Sequence, residues 1–283
     1  MRPFSFFASV FFLLFSLCSA SLAEKAAFAR LELDLLSLYN PLGLSVSANG
    51  FYRTVYRHDD SPLWHGLYYQ SGLQANLNPA FFRTGFHFEL MPVTVLQIRL
   101  QYDRLKFSGK NASLLSFASN QDLFGDDELE NRAGDEQAGY GNRVLFQFTL
   151  RAQFASTIVR NVSVLSSYSF PGPGPYYLER EHEILMAADD ELLANKFFLL
   201  FETVLDSGRV HRYIGPYHEY LHVKKSDLIQ ERVGITWYQQ YAARLSVFNN
   251  PRWYIQAGSY LKDQNREAEI FLIFGIGGDI HGL

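Results

Sequence analysis

The pentapeptide His218-Glu219-Tyr220-Leu221-His222 has the H-E-x-x-H spacing. On a helix that spacing puts two imidazoles on one face to hold Zn²⁺, with the glutamate placed to activate a metal-bound water for hydrolysis. On a strand the two histidines still share a face but stand roughly 13 Å apart, too far to share one ion. Conformation therefore decides the chemistry. Gly215-Pro216 interrupts any helix begun earlier, and the segment alternates: Arg212, His218 and His222 fall on one parity, Tyr213, Tyr217, Leu221 and Val223 on the other. Pro216 could still open a new helix, with Tyr217, Leu221, Lys224 and Leu228 along one side. No third ligand stands in a persuasive position, Glu231 being rather close to the second histidine. The strand is the better reading, and with it no metal and no cofactor is expected.

Other chemistries have less to work with. None of the eight histidines is followed by serine two positions on, the element a Ser-His lipid hydrolase of the outer membrane would need. A triad assembled from separate strands leaves no trace in sequence order. There is no glycine-rich phosphate loop, and the only cysteine, Cys18, sits in an apolar leader. Residues 1–23 read as a secretory signal: Arg2, an apolar core from Phe4 to Leu17, then Ser21-Leu22-Ala23 as the cleavage site. The remaining chain, 24–283, is expected to be one domain with no thiol, so disulfides cannot brace it.

The elements that must carry any site are strands. With 25 Lys+Arg against 29 Asp+Glu the net charge is -4, which leaves no case for a nucleic-acid binder. Apolar residues make up 48% of the chain at a mean hydropathy of only -0.09, so they are interspersed rather than gathered into spanning helices. After residue 30 the period is two. Phe82, Thr84, Phe86 and Phe88 alternate with Arg83, Gly85, His87 and Glu89, and Leu96, Ile98, Leu100 and Tyr102 alternate with Gln97, Arg99, Gln101 and Asp103. Turn residues divide the chain into twelve strands, with ten and fourteen as alternatives. They start near Leu31, Leu42, Leu63, Phe81, Val93, Arg143, Ile158, Lys196, Arg209, Gln230, Arg252 and Ala268. The first, Leu31 to Tyr39, could also be a short helix.

Most joints are short, so hairpins dominate and the sheet is antiparallel. Two long connections, about 108–142 and 171–195, follow the fifth and seventh strands and so emerge at the same end. Short turns at one end, long loops at the other and an even strand count resemble the Gram-negative outer-membrane β-barrels as a class, over roughly Leu31 to Ile280. A soluble sandwich would carry more than the seven lysines found here on its polar face. The chain's Gly282-Leu283 end departs from the aromatic terminus common in such barrels.

The resemblance implies an all-β, antiparallel transmembrane barrel in the outer membrane, with lipid, lipopolysaccharide and the barrel-assembly machinery as partners. The faces opposite the aromatic stripes would line the lumen with Arg83, His87, Glu89, Arg99, Asp103, Arg143, Arg151, Glu202, Arg212, His218, His222, Arg232, Arg244 and Arg252. Arginine in excess of carboxylate favours passage of small anionic solutes, whereas a salt-bridged lumen would make a purely structural barrel. The alternatives are a zinc metallopeptidase using 218–222 and a lipid-modifying enzyme. Acidic runs in the long loops, Asp122 to Glu136 and Glu179 to Glu191, read as solvated segments, with cations shared with lipopolysaccharide phosphates as the alternative. Within the second, Ile184 to Ala194 has the composition of a short amphipathic helix.

Overall fold

A computed structural model describes residues 26–280, apart from 41–42, 58, 62, 173 and 246–247. The expected signal at 1–23 and the terminal Gly282-Leu283 lie outside the described residues. Among the described residues the chain forms sixteen strands, counting the two-residue β14 (Arg244–Leu245). Twelve of them close into an antiparallel barrel: β1 (Ala26–Tyr39), β2 (Gly43–Arg57), β3 (Leu67–Leu77), β4 (Phe81–Val93), β5 (Leu96–Ser108), β7 (Ala138–Phe154), β8 (Thr157–Ser169), β11 (Asp189–Leu205), β12 (Val210–Val223), β13 (Leu228–Tyr241), β15 (Phe248–Lys262) and β16 (Ile270–Ile280). Closure is made by β1, which pairs with β2 on one side and β16 on the other, Leu31 facing Gly50 and Ile280. Leu31 to Tyr39 is thus a strand. The count of twelve agrees with the turn signals, but β3 starts at Leu67 because Leu63 to Gly66 is spent on a turn, and β7 and β11 begin several residues earlier than polarity suggests.

Alternation sorts the side chains. Leu73, Phe154, Ile235, Ile270 and Phe274 stand on the outer face, more exposed than any soluble core would leave them (Ile270 is 69% exposed). A contiguous apolar exterior flanked by Trp237 and Trp253, whose rings lie 5.4 Å apart, is the surface a barrel presents to hydrocarbon and its interfaces. Among the described residues no helix is long and apolar enough to cross a membrane, which says nothing of strands.

The long loops fold inward. Their connections run 109–137 and 170–188 and carry β6 (Ser116–Phe117), the short helix α1 (Asp126–Asn131), β9 (Tyr176–Glu179) and β10 (Ile184–Ala187). β6, β9 and β10 form a three-stranded sheet. Leu114, Leu115, Phe117, Phe124, Tyr177, Leu185 and Met186 pack from this plug against wall residues Phe81, Leu105, Phe107, Leu192, Leu221 and Val223. The expected helix at Ile184 to Ala194 is therefore absent: its apolar residues pair as β10 and β11, and among the described residues the α-helical segment is 126–131. The acidic loops are not simply solvated.

Inserting Arg for outward Phe274 is expected to destabilise the barrel by about 2–4 kcal/mol, whereas Arg for inward Gln256, which faces Ile273 across the ladder, costs clearly less. Urea titration of the refolded protein in lipid vesicles measures both.

Candidate functional site

The lumen is built by the inward parity of each strand, and its chemistry is ionic. Asp103, fully enclosed on β5, receives Arg143 Nη2 at 2.6 Å, Gln74 Nε2 at 2.9 Å and Gln101 Nε2 at 2.8 Å. Arg99 donates to Gln74 at 2.8 Å and to Gln101 at 3.0 Å, and reaches Glu89 at 3.7 Å. Tyr68 donates to Glu89 at 2.7 Å. On the opposite wall Glu219 joins Lys196 at 2.8 Å to Arg232 at 2.6 Å. Nearer the short turns, Arg252 holds Asp34 at 2.9 Å and Asp279 at 3.4 Å, and Glu202 meets His211 at 2.9 Å. His87 is fully buried beside Gly72, where a Cβ would stand 2.7 Å from its ring, and neither ring nitrogen meets a protein partner.

The plug completes the network from a direction the strands do not reveal. The end of β9 and the turn to β10 are five titratable residues in a row, Glu179-Arg180-Glu181-His182-Glu183. Glu181 pairs with Arg83 and, at 3.0 Å, with Arg143. Glu183 is clasped by Arg180 at 2.5 Å and Arg266 at 2.9 Å, and Glu179 accepts from His182 at 2.9 Å. Burial works against the charge on Glu181, but Arg83 and Arg143 outweigh it and hold that carboxyl well below the usual carboxylate range. A third of its side chain, 36%, still opens on a cavity inside the barrel.

That cavity has a volume of about 900 Å³ and lies between the plug and the β1–β4 wall. It reaches from Asn78 and Asn111 at the long-loop end to Asp34 and Arg252 in the short-turn half. Four arginines line it: Arg83, Arg99, Arg180 and Arg252. Five carboxylates do so as well, Glu32, Asp34, Glu136, Glu181 and Glu183, so the excess of arginine read from the strands does not carry over to this space. Three of the five come from loops.

The structure places Arg83, His87, Glu89, Arg99, Asp103, Arg143, Arg151, Glu202, Arg232 and Arg252 on the inward parity. Arg212, His218 and His222 are corrected: all three face outward. His218 pairs across the ladder with Phe197, which is 40% exposed, and its Nε2 lies 2.6 Å from Glu231 Oε1; His222 lies 3.4 Å from Asp227. Arg212 stands over the outward Trp237 ring at 5.5 Å. The parity was misread because the inner wall of β12 is apolar where it meets the plug, so Tyr217, Leu221 and Val223 look like a lipid face. The side chain of Arg244 lies outside the described residues. Since 210–223 is a strand, with Glu219 buried inward and both histidines outward, the H-E-x-x-H segment cannot hold zinc in the peptidase manner. Among the described residues no group of three or more His, Cys, Asp or Glu is arranged to hold a metal.

No family model matches the chain, and no curated protein resembles it in sequence. Solved structures do align with it. The NanC porin matches over 89% of this chain and 100% of its own at 6% identity and a TM-score of 0.45. The beta domain of the Bordetella autotransporter BrkA covers 92% and 100% at 11% and 0.41, and OmpT, an outer membrane protein of Vibrio cholerae, 93% and 99% at 9% and 0.36. Likeness at this level concerns barrel architecture alone. The chain has the architecture of the outer-membrane β-barrels, established by its own strand pairing and apolar exterior.

Because the folded pKa of Glu181 is depressed, its contribution is complete above the unfolded value near about 4.3. It is lost only as pH falls toward the folded one. The plug is therefore expected to resist limited proteolysis unchanged from neutral pH to roughly pH 5. Glu181→Gln at neutral pH should be cleaved within 170–188 about tenfold faster.

Proposed function

We propose that the protein resides in the outer membrane of a Gram-negative cell, exported by the segment 1–23, with the long-loop end outward. There it passes small polar solutes passively along the side of its plug. The cavity of about 900 Å³ carries this reading: it reaches from the long-loop end into the short-turn half, while packed side chains and the plug fill other parts of the lumen. The filling is specific. Phe198, Tyr217, Tyr260, Phe271 and Ile273 pack together on the β11–β16 side, and the plug's apolar core occupies the long-loop mouth. What remains open is a polar groove against β1–β4.

The membrane side of the reading has its own support. Outward Arg104, stacked 5.0 Å over Tyr140, and outward Lys106 have no carboxylate in contact and stand at the long-loop rim. Cations at that level suit the phosphates of lipid headgroups and lipopolysaccharide. A barrel serving only as scaffold is the competing reading, favoured by the ion pairs that engage most lumen charges, although inward Arg151 stands opposite Arg160 in the ladder.

Conductance separates the two. In planar bilayers the intact protein should give small, discrete steps, and removal of residues 176–187 should raise them several-fold while the barrel keeps its heat-dependent gel mobility. If neither protein conducts, the scaffold reading replaces the channel.

A further inference from the structure

We propose that the cavity takes uncharged, hydroxyl-rich solutes of the saccharide class. The inference rests on the channel reading and adds to it the chemistry of what enters.

Charge in this space is already spent. Arg83 and Arg180 are held by Glu181 and Glu183, Arg252 by Asp34, and Glu32 by Arg30 at 3.3 Å. The Glu136 carboxylate accepts from the Gly134 amide at 2.6 Å and the Ala112 amide at 3.3 Å. An anion entering here finds guanidinium groups that are largely desolvated and committed, and must break a pair to gain one; a cation finds carboxylates already engaged, Glu181 and Asp34 by arginine and Glu136 by backbone amides, with Glu181 and Asp34 still more than a third exposed.

Neutral hydrogen-bonding groups are what remain on offer. Ser45, Ser47 and Asn49 follow one another on the inward parity of β2, with Asn76 of β3 directly opposite Ser47. Among the described residues Ser45, Ser47 and Asn76 make no side-chain hydrogen bond, and Asn49 Oδ1 is buried with no partner. A row of hydroxyls and amides, each able to donate and accept, matches the groups a polyol presents. Across the cavity Tyr254 lies against Gly275 so closely that any Cβ there would run into its ring. The tyrosine is thereby held as an apolar platform on the cavity wall, suited to the C–H face of a sugar ring. The volume falls within the roughly 300–1,000 Å³ of sites that enclose small molecules.

The test uses the full chain refolded into proteoliposomes and, in parallel, into amine-oxide micelles, since maltoside headgroups are themselves saccharides. Swelling is compared for glucose, glucuronate and glucosamine; saturation-transfer NMR reads glucose binding independently of transport. Expected are faster entry of glucose than of either charged analogue and a potassium-to-chloride permeability ratio within about twofold of unity. The combined variant Ser47→Ala/Asn76→Ala should bind glucose at least about threefold more weakly. Tyr254→Leu, which keeps an apolar side chain over Gly275, serves as a second variant should the first not fold. Glucuronate entering as fast as glucose, strong chloride selectivity, or conductance with no glucose signal in NMR overturns the inference and leaves the channel standing. Glucose binding without any conductance removes the channel and leaves the saccharide site.

Discussion

Hydrocarbon accepts no unpaired strand edge, because each free backbone amide or carbonyl there costs several kcal/mol. The pairing of β1 with β16 is the interaction that meets this demand, and everything else in the molecule follows from it. Once the sheet is closed it has an inside and an outside that face different solvents. Leu31, Leu33 and Leu35 on β1 can stay outward, and Glu32 and Asp34 inward, only because both neighbours of β1 hold the register that keeps them there. A slip of one residue would carry the two carboxylates into lipid.

The inner face is itself divided. In the short-turn half it is polar and bridged by ion pairs; at the long-loop end it is apolar along β4, β5, β11 and β12, because there it meets the plug and not water. Along β5 the switch is visible residue by residue: Asp103 and Gln101 point into the network, while Leu105 and Phe107 point into the hydrophobic plug, with Arg104 and Lys106 outward between them. The polarity of the two faces thus exchanges near the rim, where the exterior leaves the hydrocarbon for headgroups. Glu179 to Glu183 sit at the junction, below the apolar cluster and above the wall arginines, so the plug is held by burial above and by charge below.

This exchange explains what the sequence disclosed and what it concealed. The number of strands, their antiparallel order and the inward position of Arg83, Arg99, Asp103 and Arg143 follow from strict alternation, and alternation is a local property. The alternation of β12 is equally regular, yet its sense depends on whether Leu221 and Val223 meet lipid or plug, and that is fixed by residues near Leu185, far away in the chain. The same holds for the loops. Glu181 reads as one of several solvated acids until Arg83 and Arg143, 98 and 38 residues earlier, are seen to converge on it. A run of five titratable residues between two short apolar segments was the available signal, since such a run at a hairpin tip flanked by Tyr177-Leu178 and Ile184-Leu185 is poorly suited to open solvent.

Paired charges in a lumen are often taken as evidence of a sealed scaffold, but their energetics point elsewhere. Desolvating two ions costs about as much as their attraction returns, so a buried pair adds little stability over an apolar pair of equal shape. An apolar filling such as the Phe198–Tyr217–Phe271 cluster is the cheaper way to close a barrel, and this chain uses it on one side only. Retaining Arg83, Arg99, Asp103 and Glu181 on the other side keeps that wall polar and rigid, while the pairing offsets much of its field. A wall with those properties neither attracts nor repels by charge, which leaves size and hydrogen bonding to decide what moves along it.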